Sequence, residues 1–126
     1  MPPGDFTGLR QLGLVRDVDA VRDALRTEGE LLVDVRSPAR FSAEAPDPRA
    51  GIRGGHIPGS RNLHYADLVD AEGRLLGDDV LRAVVARAGV GEDPRPVIAT
   101  CGSGVSACAL VLALHALGRD DVAVYD

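Results

Sequence analysis

Three short apolar runs, LLVDV (31–35), PVIAT (96–100) and VAVYD (122–126), constrain this chain more than anything else in it. Each is too short for a buried helix and nearly continuous in its apolar character. Each therefore fits a strand covered on both faces rather than one face of an open sheet. Between the runs lie segments with helical spacing. In VDAVRDALRTEGE (18–30) apolar residues fall at 18, 21, 24 and 25, with Asp17 or Asp19 as cap and Gly29 as stop. DDVLRAVVARAGV (78–90) reads as a second helix, with Asp78 near its start and Gly89 near its end. GVSACALVLALHALG (104–118) reads as a third, stopped by Gly118, and SRNLH (60–64) as one more short strand. Strands alternating with helices predict an α/β domain whose parallel sheet carries helices on both faces. A length of 126 residues fits one such domain. Residues 1–11, rich in Gly and Pro, read as a tail or linker, and 12–126 as the domain.

With only 3% aromatic residues and no Trp, the core has to be built from Val, Leu, Ala and Ile. The net charge of −5 argues against nucleic acid and against an anionic membrane surface as partners, since both require a basic field. Val105 to Leu117 is too short for a membrane span, and MPPGDFTGLRQ lacks the basic start and apolar stretch of a secretory signal. The two cysteines are too few for a disulfide scaffold and lack the paired spacing of a zinc site. These features set the expectation of a reducing, cytoplasmic setting and no metal.

Function concentrates in two places. From Arg36 to Gly59 the chain is crowded with Pro and Gly, and a loop of that length in a small domain is functional or disordered. The second place is TCGSGVSA (100–107), where Cys101 directly follows a strand and precedes a helix. Ligands of open parallel sheets bind beyond the carboxyl ends of the strands. Backbone N–H groups of Gly102 to Ser106 can gather around an anion there, and the helix dipole adds to the effect. A lone cysteine is more often a packed thiol. The flanking glycines and the following helix favour a reactive Cys101 instead, because such surroundings stabilise a thiolate. Cys108, two turns on among Ala, Leu and Val, reads as core. A P-loop is excluded, because no Lys follows Gly104. A cysteine phosphatase of the usual spacing needs an Arg six positions after its Cys, where this chain has Ala107.

Taken in order, LLVDVRSPARF (31–41), PDPRAGIRGGHIPGSRN (46–62), VIATCGSGVSA (97–107) and VAVYD (122–126) resemble the rhodanese, or sulfurtransferase, family over about residues 12 to 126. The likeness is greatest to the catalytic C-terminal half of two-domain thiosulfate or 3-mercaptopyruvate sulfurtransferases. CGSGVSA is close to the CGSGVTA form typical of the mercaptopyruvate enzymes, with Ser106 in place of Thr. The resemblance implies a three-layer domain with a parallel sheet of about five short strands, and ping-pong transfer of a sulfane sulfur through a Cys101 persulfide. It implies that Gly102, Gly104, Val105 and Ser106 of the loop stabilise the persulfide, and that Arg40 and Arg49 bind the donor's anionic group. Arginine forks suit a carboxylate or sulfonate, while single loop arginines are as a rule solvated charges. Ser103 is implied in a proton transfer; a hydroxyl bonded within the loop fits the residues equally well. His56 of GHIPG reads as holding a turn through its ring, and Asp34 and Arg36 as a pair that fixes the loop.

The resemblance also implies what is absent. The family's two-domain enzymes carry a second domain of similar fold before this one, and continue after VYD with GSW and a final helix. An uncovered sheet face and self-association, or a missing partner domain, are the consequent expectations. The implied partners are a small anionic sulfur donor and a thiol or cyanide acceptor, with no cofactor. The alternative is a non-catalytic rhodanese-like module for binding or sulfur carriage. A loop without a side-chain cation, and arginines distant in sequence, suit mercaptopyruvate better than thiosulfate.

Overall fold

The apolar runs do form strands. The computed structural model describes residues 1–9 and 11–126, so Arg10 of the expected tail lies outside the described residues. Its strands are Val15–Arg16 (β1), Leu31–Asp34 (β2), Arg61–Asn62 (β3), Val97–Thr100 (β4) and Val122–Tyr125 (β5). The helices are Val18–Thr27 (α1), Pro38–Phe41 (α2), Asp78–Arg87 (α3) and Ala107–Ala116 (α4), with short 3₁₀ turns at Leu12–Leu14 and Tyr65–Leu68. All five strands are parallel, in the order β1-β5-β4-β2-β3. The central pair is in full register, Leu31 opposite Val97 and Asp34 opposite Thr100, and every residue of both strands is buried.

Burial on both faces is why these strands read as continuous rather than alternating. Leu31, Val33, Val97 and Ala99 point to one face, where they meet Leu81 and Val85 of α3 and Leu110 and Leu114 of α4. Leu32 and Ile98 point to the other, where Val21 and Ala24 of α1 cover them. The helix ends follow local chemistry. The Asp17 carboxylate accepts from the Ala20 N–H at 2.9 Å and caps α1. At its far end the left-handed position is taken by Glu28, φ 55°, and not by Gly29. Gly89 and Gly118 do take left-handed angles after α3 and α4.

Four features depart from the sequence expectations. β1 is a two-residue edge strand paired only to β5. α2 stands inside the segment read as loop: Ser37 accepts from the Arg40 N–H, and Pro38 occupies the first turn, where its missing N–H costs nothing. α4 starts at Ala107 rather than 104, because Gly104 is left-handed at φ +81° and interrupts the helical path. Cys108 is exposed and not core. Helix α4 is apolar all round, so its sequence carries no signal for which side meets the sheet. Ala107, Leu110, Ala113 and Leu114 make the buried face. Cys108 and Leu112, four apart, lie on the opposite side, along an apolar groove of about 810 Å³ that runs to Leu14, Val15 and Val124. Among the described residues no helix is long and apolar enough to cross a membrane.

Among the described residues Asp34 and Thr100 are the buried polar ones, and the Asp34 carboxylate carries a charge into the core. The Asp34 side chain is 4% exposed and that of Arg36 12%. Asp34 accepts from the Arg36 backbone N–H and Nε at 3.0 Å and from Nη2 at 2.6 Å. Arg36 in turn donates to the Gly55 carbonyl at 2.6 Å, pinning the far end of the 36–59 segment. This hydrogen bonding with Asp34, outweighing burial, holds the Arg36 guanidinium above its ordinary pKa. Breaking a buried pair by removing one partner costs about 3 kcal/mol or more. Asp34→Ala is therefore expected to lower the melting temperature by roughly 10 °C in a domain of this size. A shift below about 2 °C in a thermal melt would show the pair to be dispensable.

Sheet order fixes where a ligand can bind. The chain leaves β2 toward β3 on one side and leaves β4 toward β5 on the other, although β2 and β4 are neighbours. The connections diverge at the carboxyl ends of these two strands and leave a crevice between them.

Candidate active site

The crevice is a cavity of about 410 Å³, and the segments after β2, β3 and β4 all reach it. Arg36, Ser37, Arg40, Pro48 and Arg49 come from the first segment, His64 and Tyr65 from the second, and Cys101, Gly102, Ser103 and Ser106 from the third. Residues more than fifty positions apart in sequence, such as Arg49 and Cys101, thus border one space.

Cys101 stands one residue past β4 and is partly buried. Its Sγ accepts the Gly104 N–H at 3.0 Å. That contact requires the loop to double back over three residues, which the left-handed Gly104 permits. A β-carbon on Gly104 would also meet Val124 Cγ1 at 3.7 Å. The loop then feeds into α4, whose positive dipole end faces it. No hydrogen bond from the Ser103 hydroxyl is present among the described residues. Ser103 is exposed and borders both the crevice and the apolar groove. Ser106 borders the crevice, while Val105 is 75% exposed and borders the groove with Gly104. Of the loop residues singled out from sequence, Val105 alone thus places its side chain wholly on the groove side.

Arg40 and Arg49 do converge. A β-carbon on Gly102 would lie 3.1 Å from Arg49 Nη2 and 3.3 Å from Arg40 Nη2, so both guanidinium groups cover the residue next to Cys101. Arg49 Nη1 donates to the Gly102 carbonyl at 2.8 Å and ties the two loops together. The segment carrying the arginines is held elsewhere as well. His56 Nδ1 bonds the Phe41 carbonyl at 2.8 Å, and its ring stacks on Phe41 at 3.7 Å between centroids. Asn62 donates through Nδ2 to the Asp34 and Arg36 carbonyls. His56 thus has the turn-holding part read from sequence.

Sequence reasoning missed Asp47. Its side chain is 2% exposed and lies between the two arginines. Oδ2 accepts from Arg40 Nη2 at 2.6 Å, and Oδ1 accepts from the Arg49 backbone N–H at 2.9 Å and from Arg49 Nε at 3.2 Å. The bonds from Arg49 first, opposed by burial and reinforced by Arg40, hold this carboxyl well below the usual carboxylate range. Arg40 Nε is buried without an acceptor among the described residues, so its fork has capacity that Asp47 leaves unused. Asp47 sits two residues before Arg49 in PDPR, an arrangement that lets a carboxylate bond the N–H two residues on. That local pattern was the available signal. His64 and Tyr65 were also missed; their rings meet edge to face at 5.3 Å on the crevice wall.

A crevice lined by arginines with a thiol at its floor fits the comparisons with known proteins. Residues 17–126 match the family model described as a rhodanese-like domain. The chain is 40% identical to thiosulfate/3-mercaptopyruvate sulfurtransferase 1, mitochondrial, of Arabidopsis thaliana over 98% of its own length and 32% of that protein's. It is likewise 40% identical to 3-mercaptopyruvate sulfurtransferase of Escherichia coli K12, over 100% of its own length and 44% of that protein's. The solved structure of SseA from Escherichia coli superposes with a TM-score of 0.82 at 36% identity, covering the whole of this chain and 44% of that one. The chain therefore spans less than half the length of these relatives.

Proposed function

The chain belongs to the rhodanese-like family, and on that premise we propose that it moves a sulfane sulfur from a small anionic donor to cyanide or a thiol through a persulfide on Cys101. The observation that carries this reading is one crevice holding both parts of the chemistry. A thiol accepts a backbone N–H at its floor, and two arginine forks stand over the adjacent residue.

In the first half-reaction the Cys101 thiolate attacks the outer sulfur of the donor. A sulfur–sulfur bond forms to Cys101 while the donor's bond to that sulfur breaks. With 3-mercaptopyruvate the electron pair of the carbon–sulfur bond leaves on carbon, and protonation of the resulting enolate gives pyruvate. With thiosulfate the pair leaves on sulfite. In the second half-reaction the acceptor attacks the outer persulfide sulfur and regenerates the thiolate. Cyanide becomes thiocyanate, and a thiol becomes a persulfide. The Gly104 N–H, already on Sγ, supports negative charge at the sulfur during both steps. Arg40 and Arg49 take the donor's carboxylate through charge-assisted bonds. Ser103, Ser106 and His64 border the same space and supply hydroxyl and imidazole groups for moving the proton to the enolate. The short loop without a side-chain cation favours 3-mercaptopyruvate as the donor.

The direct test is the intact mass of the chain after donor treatment and desalting. A gain of one sulfur atom that persists in Cys108→Ser and vanishes in Cys101→Ala supports the reading. An unchanged mass with both donors favours a non-catalytic binding module instead.

A further inference from the structure

Resting on that reading of the crevice, we infer that Asp47 sets the charge of the donor the site accepts. It neutralises one of the two arginine charges, so that the crevice takes a monocarboxylate and disfavours a dianion.

The geometry separates Asp47 from the ligand space. Its carboxylate does not border the crevice; Arg40, Pro48 and Arg49 do. It sits behind the guanidinium groups, bonded to Arg40 Nη2 at 2.6 Å and to Arg49 Nε at 3.2 Å, with its side chain almost fully covered. Its charge stands directly behind both forks and acts on anything bound in front of them. Arg36, the third guanidinium on the crevice, is already matched by Asp34. The count of fixed charge around the crevice is therefore Arg36, Arg40 and Arg49 against Asp34 and Asp47, a net of plus one. A donor bearing one carboxylate balances that charge. A dianion overshoots it.

Asp47 is also a positioning residue, since it holds the two forks side by side over Gly102. Loss of positioning would weaken every anion together. Loss of its charge acts on a dianion twice as strongly as on a monoanion. The ratio of two affinities isolates the charge, because the positioning contribution cancels in it. For an anion held by the forks at about 6 Å from the carboxylate, and a dielectric between that of surface and water, each unit of anion charge is worth roughly a factor of ten.

The test uses the full chain carrying Cys108→Ser, so that one thiol reports. Cys101 is alkylated with uncharged iodoacetamide at constant ionic strength and neutral pH. The rate is measured against increasing pyruvate, a monoanion, and increasing sulfate, a dianion. In the chain with Asp47 intact, pyruvate protects at lower concentration than sulfate despite its smaller charge. In Asp47→Asn the ratio of the two protection constants moves about tenfold toward sulfate. In Asp47→Glu, which keeps the charge, it stays within about twofold. Three results overturn the inference: sulfate protecting better than pyruvate with Asp47 intact, a ratio unmoved in Asp47→Asn, or no protection by either anion. Protection requires no turnover. A chain inert toward both sulfur donors that still shows the ratio change keeps this inference and loses the sulfurtransferase reading. An active chain with an unmoved ratio does the reverse.

Discussion

On the proposed mechanism, replacing Cys101 by serine is expected to abolish sulfur transfer while leaving the fold intact. Thiocyanate formation from cyanide with either donor falls at least about a thousandfold, to the uncatalysed background, as expected when a nucleophile is removed. The physical reason is specific to the reaction. A serine hydroxyl accepts the Gly104 N–H much as the thiol does, so the loop keeps its closure. Its oxygen, however, is barely ionised at neutral pH and forms no stable bond to a sulfane sulfur. The melting temperature of the variant accordingly stays within about 2 °C of the parent, since little volume is lost at a partly buried position and no polar group is orphaned. Cys108→Ser is the control. That thiol is exposed on the groove side of α4 and donates at 3.5 Å to the Gly104 carbonyl, so its replacement leaves the rate unchanged. Retained turnover in Cys101→Ser, or loss confined to Cys108→Ser, would end the persulfide mechanism.

How much of this was legible in advance follows from what kind of interaction made each element. LLVD and VIAT were readable because a strand buried on both faces has to be apolar at nearly every position, and no tertiary partner changes that requirement. α1 and α3 were readable for the converse reason: one face of each meets the sheet and the other meets water, so the period shows. β1 was not, because two residues on a sheet edge impose no pattern; Val15 and Arg16 are a strand only because β5 lies beside them. α2 carried a signal that was passed over, the Ser37–Pro38 start, inside a segment whose glycines and prolines dominated the reading. Cys108 was misplaced because α4 offers apolar residues on every side. There, amphipathic reasoning has nothing to work on.

The site divides the same way. Cys101 could be placed from sequence because its position, one residue past a strand and six before a helix, is itself the determinant of its surroundings. Arg40 and Arg49 could be named only through the family resemblance. Nothing in their local sequence states that the eight residues between them fold back until both guanidinium groups reach Gly102. That closure depends on contacts between distant positions, Arg36 with Gly55, His56 with Phe41 and Arg49 with Gly102. Asp47 escaped notice for the same reason. Its bond to the Arg49 N–H two residues on is local and readable in PDPR, but its bond to Arg40 and its burial come only with the folded loop.

The arginines also differ from each other, and the difference predicts separable kinetics. Arg40 packs over Gly102 but bonds Asp47 and donates no hydrogen bond to the cysteine loop, so on the proposed reading Arg40→Ala removes chiefly a donor contact. Its effect falls on KM, which rises about 10- to 100-fold for the loss of one charge-assisted bond, with kcat nearly unchanged. Arg49 contacts Asp47 and also bonds the Gly102 carbonyl beside the nucleophile. Arg49→Ala therefore raises KM by a similar factor and lowers kcat as well, because the loop that presents Sγ loses its tether. The double variant loses about a thousandfold in kcat/KM, less than the product of the singles if Asp47 couples them. Arg49→Lys restores the charge without the fork, so it recovers part of KM and little of kcat. Steady-state rates with 3-mercaptopyruvate over a wide donor range separate these cases. A double variant with unchanged KM would place the donor's anionic group elsewhere, and equal effects on kcat from both single variants would remove the tether from the account.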